Sequence, residues 1–584
     1  MMELSSFSKI DSATQNRINT WLNGSYDDAT KNEIRQLITD GKEDELIDSF
    51  YKELEFGTGG LRGIMGVGSN KMNKYTIGTA TQGLANYLKK CFPNEEIKVA
   101  LAHDSRNNSD YFTQITADVF SANGIKVYQF SALRPTPLLS YTIRKLKCHS
   151  GVVVTASHNP KEYNGYKAYW NDGAQMIAPH DTNVINEVNE IKDIKEVKFN
   201  ANPALIERID TELDQAYIRD VKAISVNPAA IRRQKEMKIV FTPIHGTGIT
   251  LVPDLLLEFG FENVTVVKEQ SEPNGNFPTV VYPNPEEGDA LSLAIQKAKE
   301  IDAEIVMATD PDADRVGIAV KDNKGEWILL NGNQTGSLLL YYLINAWREA
   351  GKLNGKQFIC KTIVTSYIMD SIAEANGVKC YNVLTGFKFI ADLIKQLEGK
   401  ETFIAGGEES YGYLVGDFVR DKDAVSSCAF IAEMAAYYKD KGKSLYEVLQ
   451  DVYVRHGFYK EKLISITKKG KSGADEIKQM MKDLRANPPK TLGGARLVKL
   501  MDYEMQTETD LLVGTKKPIH LPKSDVLQFV MEDGSKASAR PSGTEPKIKF
   551  YFSVKEHLAS ANQYEEVSKK CDEKIEQTIK DLGF

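Results

Sequence analysis

A chain of 584 residues with 42% hydrophobic and 26% charged residues has the composition of an ordinary globular protein and is too long for one core; at roughly 150 residues per domain, about four domains are expected. Its net charge of -7 argues against nucleic-acid binding, which needs a basic surface to displace counterions, but leaves room for a small anionic ligand where basic groups cluster. The six cysteines include no CxxC pair, so buried free thiols in a reducing compartment are expected rather than a zinc site or a disulfide scaffold.

The amino terminus, MMELSSFSKIDSATQNRINTWL, lacks the basic-then-apolar order of a signal peptide. The longest apolar run, SLLLYYLINAW at 337–347, is too short to span a bilayer, so a cytoplasmic location is expected. Residues 1–50 read as a helical extension packed on the first domain. Three segments then share one rhythm of apolar strand, polar loop, helix, glycine and second strand: IKVALAHDSR from 97, MKIVFTPIHG from 237 and KQFICKTIVTS from 356 each open one. Near-continuous apolar strands alternating with helices predict parallel pairing with both sheet faces covered. After KKGKSG at 468–473 the pattern changes to a helix from about Ala474 and hairpin strands, one folding over Asp533-Gly534. The fold class is therefore α/β, with three similar mixed α/β domains and a C-terminal α+β domain. The expected boundaries are 1–50, 51–215, 216–335, 336–455 and 456–584.

The most specific chemical signal is ATDPDADRVG, 308–317, directly after an apolar strand. Asp310, Asp312 and Asp314 alternate along what reads as an extended loop, so three carboxylates can converge on one hard cation. An EF-hand is excluded, because Arg315 and Lys321 stand where that loop needs Gly and Glu. Such a cation has room for a further anionic oxygen, which suits a phosphate on Mg²⁺; the bland alternative is a solvated acidic turn. RPSGTEPK, 540–547, offers the Arg540 fork, the Ser542 and Thr544 hydroxyls and the backbone of Gly543 to a phosphate, against a mere proline- and glycine-shaped connection. In GGEESYGY, 406–413, Glu408 and Ser410 provide acceptors suited to sugar hydroxyls. Adjacent glutamates on an extended chain point to opposite sides, so Glu408 and Glu409 are not expected to cooperate as a glycosidase pair. FGTGGLRG, 56–63, carries Thr58 and Arg62 on a glycine loop, a weak signal alone. TASHNP places Ser157 beside His158; adjacent residues rarely face each other, so a Ser–His dyad is not expected.

In this order GTGGLRG, TASHNP, DPDADR, GEES and RPSGTEPK resemble the α-D-phosphohexomutase superfamily, most closely its phosphoglucomutase branch. The resemblance runs from about residue 50 to the end. It implies four domains arranged around a central active-site cleft, an isomerase acting as an intramolecular phosphotransferase, and small-molecule sugar phosphates as partners. It implies that Ser157 carries a phosphoryl group and joins Asp310, Asp312 and Asp314 on Mg²⁺, with Arg315 near the transferred phosphate. His158 and Lys167 match positions that assist proton transfer, and Lys422 in RDKDA is a further candidate. Glu408 and Ser410 match sugar-holding positions; Arg540, Ser542, Gly543 and Thr544 match those holding the other phosphate; Thr58, Arg62 and Thr385 match further substrate contacts. The implied reaction interconverts glucose 1-phosphate and glucose 6-phosphate through glucose 1,6-bisphosphate, with mannose or pentose phosphates as the alternative substrates. The spacing KEYNGYK and the fifty-residue leader are similar to the phosphopentomutase-like branch, whereas GEES is similar to glucose-selective members. Two rivals outside the class are a metal-dependent phosphatase, which would need a nucleophilic Asp in a DxDx[TV] context, and a non-catalytic sugar-phosphate or Ca²⁺ binder.

Overall fold

A computed structural model describes residues 7–57, 59–468, 470–542 and 547–584. The chain forms two compact units. The first comprises the residues up to Ala319 together with Ala391–Gln396 and Gly412–Ala436; the second comprises Val320–Ile390, Leu397–Tyr411 and Tyr437–Phe584.

The first unit opens with three short helices, Ser12–Asn23, Asp28–Thr39 and Glu43–Phe50, as the leader's composition predicts. Two begin at aspartate caps: the Asp11 carboxylate accepts from Thr14 N at 2.7 Å and that of Asp27 from Thr30 N at 2.9 Å, satisfying backbone donors that a helix leaves open. Their apolar stripes bury Ile18, Trp21, Ile34, Leu46 and Phe50 in a small core shared with Val67 and Tyr75. The leader is thereby fastened beside the loop that follows strand Gly60–Ile64.

That strand edges a six-stranded sheet ordered Gly60–Ile64, Tyr163–Trp170, Ser150–Val154, Lys98–His103, Lys126–Phe130, Ile206–Ile209. The first two pairings are antiparallel and the remaining three parallel. Helices Lys74–Cys91 and Ser109–Ala122 supply Ile77, Leu84, Leu88, Ile115 and Phe120 to its core, against Val99, Leu101, Val127 and Val152. Strands buried on both faces carry no alternating polar face, which is why their sequences read as apolar runs. In the same unit Ile239–Thr242 pairs in parallel with Val264–Val266 and Ile305–Thr309, and Val316–Ala319 returns antiparallel along Ile305–Thr309.

In the second unit Gln357–Thr362 is the centre of a parallel trio with Lys379–Val383 and Thr402–Glu408. Its C-terminal sheet is antiparallel, ordered Phe458–Thr467, Lys547–Glu556, Lys536–Pro541, Leu527–Met531, Ala495–Asp502, Thr507–Asp510, Lys516–Pro518. The turn over Asp533-Gly534 joins two neighbouring strands as expected, with Gly534 at φ 86°. The preceding helix spans Gly470–Ala486, so it begins within the Gly/Lys-rich stretch KKGKSG rather than at Ala474. The cysteines are free: Cys148, Cys360, Cys428 and Cys571 are buried, Cys380 is half-buried and Cys91 is exposed. Among the described residues no helix is long and apolar enough to cross a membrane.

Candidate active site

The buried strand Ser150–Val154 ends in Thr155-Ala156-Ser157. Ser157 sits at φ +52°, a left-handed conformation that costs a non-glycine residue free energy and persists only where its surroundings hold it. Those surroundings are specific. The Thr155 hydroxyl accepts from Ser157 N at 2.9 Å and donates to Asp104 Oδ2 at 2.6 Å. Arg106 donates to the carbonyls of Ser157 at 2.6 Å, Pro160 at 2.8 Å and Tyr163 at 3.1 Å, and also to that of Asn159. One buried guanidinium therefore gathers four carbonyls of the loop and pairs with Asp104, its Nε 3.3 Å from the carboxylate. Burial lowers the pKa of Arg106 and raises that of Asp104, and each charge opposes the shift of the other.

The left-handed turn aims the Ser157 hydroxyl at the acidic loop, where it donates to Asp310 Oδ2 at 2.7 Å. It also brings His158 Nδ1 to 3.2 Å from Ser157 Oγ. This corrects the expectation that the two neighbours do not face each other, since that expectation assumed ordinary backbone dihedrals. His158 is partly exposed, yet desolvation in its packed surroundings, with Arg315 and Arg62 nearby, pulls its pKa well below 6.5 and keeps the ring neutral.

Asp310, Asp312 and Asp314 are buried and each offers an oxygen within 4.8 Å of the others. They converge, but not along an extended loop. Ala313 takes φ +51°, and the chain wraps around Asp310, whose Oδ1 accepts from Asp314 N at 3.1 Å and Arg315 N at 3.0 Å. Asp312 Oδ1 and Asp314 Oδ1 have no hydrogen-bond partner among the described residues. Buried carboxylate oxygens left open in this way fit a hard divalent cation, the use to which three oxygen donors on one loop are suited. Desolvation and the two neighbouring carboxylates raise the pKa of Asp310 well above its ordinary value. Asp314 goes the other way: against desolvation, Lys167, Lys422 and Arg315 hold it ionised.

Two lysines close this centre. Lys167, on strand Tyr163–Trp170, reaches Asp312 Oδ2 at 2.7 Å and Asp314 Oδ2 at 3.1 Å. Burial works against its charge, but Asp312 and Asp314 outweigh it and raise its pKa. Lys422 lies 3.2 Å from Asp314 Oδ2 and 2.9 Å from Asp421 Oδ1. Asp421 in turn accepts from the Tyr169 hydroxyl at 2.6 Å. The segment bearing Lys422 docks on the acidic loop, with Ala424 N donating to Ala313 O at 3.2 Å. Arg315 Nη1 pairs with Glu286 at 2.9 Å and its Nε lies 3.7 Å from Asp314. Arg62, exposed on the glycine-loop strand, lies 3.5 Å from Asn159 Oδ1.

The second unit holds the other predicted residues. Glu408, buried at the end of strand Thr402–Glu408, accepts from Gly386 N at 2.9 Å, so the GEES and LTGFK loops are joined directly. Thr385 Oγ1 is buried with no partner among the described residues. Ser410 is half-buried two residues beyond Glu408. Arg540 and Ser542 end strand Lys536–Pro541 and its loop, both half-buried, with Ser542 N donating to Lys547 O at 2.7 Å. Thr58, Gly543 and Thr544 lie outside the described residues.

Sequence reading missed Asp104, Arg106 and Thr136. The Thr136 hydroxyl donates to Asp312 Oδ2 at 2.8 Å and its backbone N–H to Asp312 O at 2.9 Å. A signal for the first two was present: HDSR places an acid and a base immediately past the end of a buried strand, where open α/β sheets put their ligand-facing loops.

Doubly wound α/β sheets whose strand-end loops bring a serine hydroxyl onto a buried acidic cluster define the class of an α/β phosphoryl-transfer enzyme. Sequence comparison narrows it. The chain matches the family models "Phosphoglucomutase/phosphomannomutase, alpha/beta/alpha domain I" over residues 53–195, domain II over 215–325 and domain III over 331–456. The chain belongs to the phosphoglucomutase/phosphomannomutase family. It is similar to the phosphoglucomutase of Staphylococcus haemolyticus, 36% identical over 544 residues, covering 90% of this chain and 96% of that one. It is also similar to the phosphoglucomutase of Staphylococcus aureus, 37% identical over 514 residues, covering 88% and 91%. Among solved structures, parafusin, a Paramecium phosphoglucomutase in an open form, shares the fold at TM-score 0.65 and 18% identity, covering 90% of this chain and 95% of that one. A phosphoglucomutase/phosphomannomutase family protein of Burkholderia thailandensis does so at TM-score 0.63 and 18% identity, covering 89% and 97%. The protein is thus an enzyme of the isomerase class, an intramolecular phosphotransferase.

Proposed function

We propose that the protein is a phosphoglucomutase interconverting glucose 1-phosphate and glucose 6-phosphate through a phosphoserine at Ser157 and a bound glucose 1,6-bisphosphate. The observation that carries this reading is the Ser157 hydroxyl held in a left-handed turn 2.7 Å from Asp310, in a chain aligned nearly end to end with named phosphoglucomutases.

Phosphorylated Ser157 donates its phosphoryl group to the free hydroxyl of the bound hexose phosphate. The resulting bisphosphate turns around and returns its other phosphoryl group to Ser157. Mg²⁺ bound by Asp310, Asp312, Asp314 and the Ser157 phosphate would neutralise charge on the transferring oxygens. The neutral His158 ring can accept the proton of the attacking hydroxyl, and the cationic Lys167, its pKa raised by Asp312 and Asp314, can return one to the serine oxygen. Arg315 and Lys422 add positive charge where negative charge develops. Glu408 and Ser410 hold the sugar hydroxyls, and Arg540, Ser542, Gly543 and Thr544 hold the phosphate that is not being transferred. Thr58, Arg62 and Thr385 complete the substrate contacts. The reading divides the chain into an extension, three α/β domains and an α+β domain at 1–50, 51–215, 216–335, 336–455 and 456–584, in a cytoplasmic enzyme.

A coupled assay offering glucose 1-phosphate, mannose 1-phosphate and ribose 1-phosphate, each with its bisphosphate, tests the substrate. The highest kcat/KM is expected for glucose 1-phosphate; a dominant ribose or mannose rate would reassign the enzyme within its family, and release of free phosphate with no isomer would contradict it.

A further inference from the structure

Glu409 follows the sugar-contacting Glu408 but points the other way, and the structure gives it a different task. Its Oε2 accepts from the Thr362 hydroxyl at 3.1 Å and the Thr365 hydroxyl at 3.0 Å. Those two residues bracket the turn Thr362-Ile363-Val364-Thr365 at the end of strand Gln357–Thr362. The carbonyl in that turn, Ile363 O, is taken by the C-terminal sheet: Gln528 Nε2 donates to it at 2.8 Å and Lys536 Nζ at 2.6 Å.

Lys536 is 2% exposed. Its ammonium rests 3.8 Å from the centre of the Tyr367 ring, and the Lys361 ammonium stands 4.8 Å from the same ring. Lys361 is itself tied to Asp370 at 3.0 Å and to Thr365 O at 3.3 Å. A buried amine with a carbonyl and an aromatic face as partners is held in one geometry. Burial and the neighbouring Lys361 push the pKa of Lys536 well below its ordinary value. Around it Ile363, Val364 and Leu384 pack on Tyr503, Ile519, Val526 and Tyr551.

Strand geometry makes this contact relevant to substrate. Residues at i, i+2 and i+4 of a strand share a face, so Lys536 and Arg540, at the two ends of strand Lys536–Pro541, stand on the same side. The strand that presents Arg540 to phosphate is therefore pinned through Lys536 to the turn that anchors the sugar loop through Glu409.

We propose that Lys536 and Glu409 are positioning residues acting through one shared turn, Thr362–Thr365, which fixes the spacing between the sugar loop at Glu408–Ser410 and the phosphate-binding Arg540. The inference rests on the functional reading of those two loops. A fixed spacing serves recognition of a hexose with its non-transferred phosphate, so loosening it weakens binding and blurs selection among sugar phosphates while leaving transfer at Ser157 intact.

The test is a double-mutant cycle on the full-length enzyme with Lys536→Met, Glu409→Ala and the pair, reading KM and kcat for glucose 1-phosphate and mannose 1-phosphate. Each single variant is expected to raise KM for glucose 1-phosphate about tenfold with kcat within about twofold, and to narrow the glucose-to-mannose preference. The double variant is expected to be little worse than the more damaging single one, because both break the same link. Hydrolysis of the Ser157 phosphate by water without sugar is expected to be unchanged. If Lys536→Met does not fold, Thr365→Val against Thr365→Ser asks the same question, with serine restoring the hydroxyl and the low KM. Additive KM effects, a loss confined to kcat, or failure of serine to rescue would overturn the inference while wild-type turnover stands. Absence of mutase turnover in the wild type would instead remove the functional reading and this inference with it.

Discussion

The predicted site residues of the two units are held by different materials. In the first, the serine, three aspartates and two lysines are buried and bonded to one another, with one oxygen each of Asp312 and Asp314 left open. In the second, the GEES loop is held through backbone and hydroxyl bonds, Gly386 N to Glu408 and two threonines to Glu409. Charges that must stabilise a transition state are effective when already fixed and shielded from water, since nothing need reorganise as the reaction proceeds. On the proposed reading, loops that accept a bisphosphate in two orientations need contacts and reach instead. The contrast predicts that damage to the first unit appears in kcat and damage to the second in KM.

The largest effect expected is for Ser157→Ala, which should lower kcat by at least about 10⁴-fold and abolish incorporation of phosphate. Arg106→Met comes next. It releases four loop carbonyls and leaves Asp104 buried without its cation, so a loss of about 3–5 kcal/mol in denaturant unfolding and roughly a hundredfold drop in kcat are expected, with KM little changed. Glu408→Ala sharpens the other side, raising KM for glucose 1-phosphate about tenfold while single-turnover transfer at saturating sugar stays near normal. Thr136→Val removes the hydroxyl that orients Asp312 and should cost about tenfold in kcat with no change in KM; an equal rise in KM would erase the division between the units.

The smallest effect concerns His158, whose folded pKa is depressed below 6.5 by burial and nearby arginines. The unfolded chain takes up the proton first, so this ring costs no stability above pH 6.5 and costs progressively more as pH falls below it. In the unphosphorylated protein, His158→Asn should therefore flatten the acid side of the stability curve by about 1 kcal/mol between pH 6.5 and 5.5. An unchanged slope would mean that the ring is charged in the folded state.

The α/β class, the C-terminal antiparallel sheet and the helical leader were legible because they depend on strand and helix periodicity and on turn residues such as Asp533-Gly534. Convergence of the aspartates was legible from their spacing alone. The shape of their loop was not, because Ala313 at φ +51° leaves no mark in composition. The same limit concealed the Ser157–His158 contact, which depends on one left-handed residue. The partners of Lys422, Asp314 and Asp421, are set by how residues 412–436 dock in the first unit, which its sequence neighbours do not reveal. Thr136 acts on a carboxylate far along the chain, and nothing local distinguishes such a residue from an ordinary loop polar group.

On the proposed reading Ser157 carries the phosphoryl group between the two positions of the sugar. Incubating the full-length enzyme with glucose 1,6-bisphosphate, then measuring intact mass and mapping the modified peptide, tests it most directly. The account predicts one added phosphoryl group per chain on Ser157, removed again on mixing with excess glucose 6-phosphate. Phosphate on any other residue, or none on an enzyme that still interconverts the sugar phosphates, would contradict it.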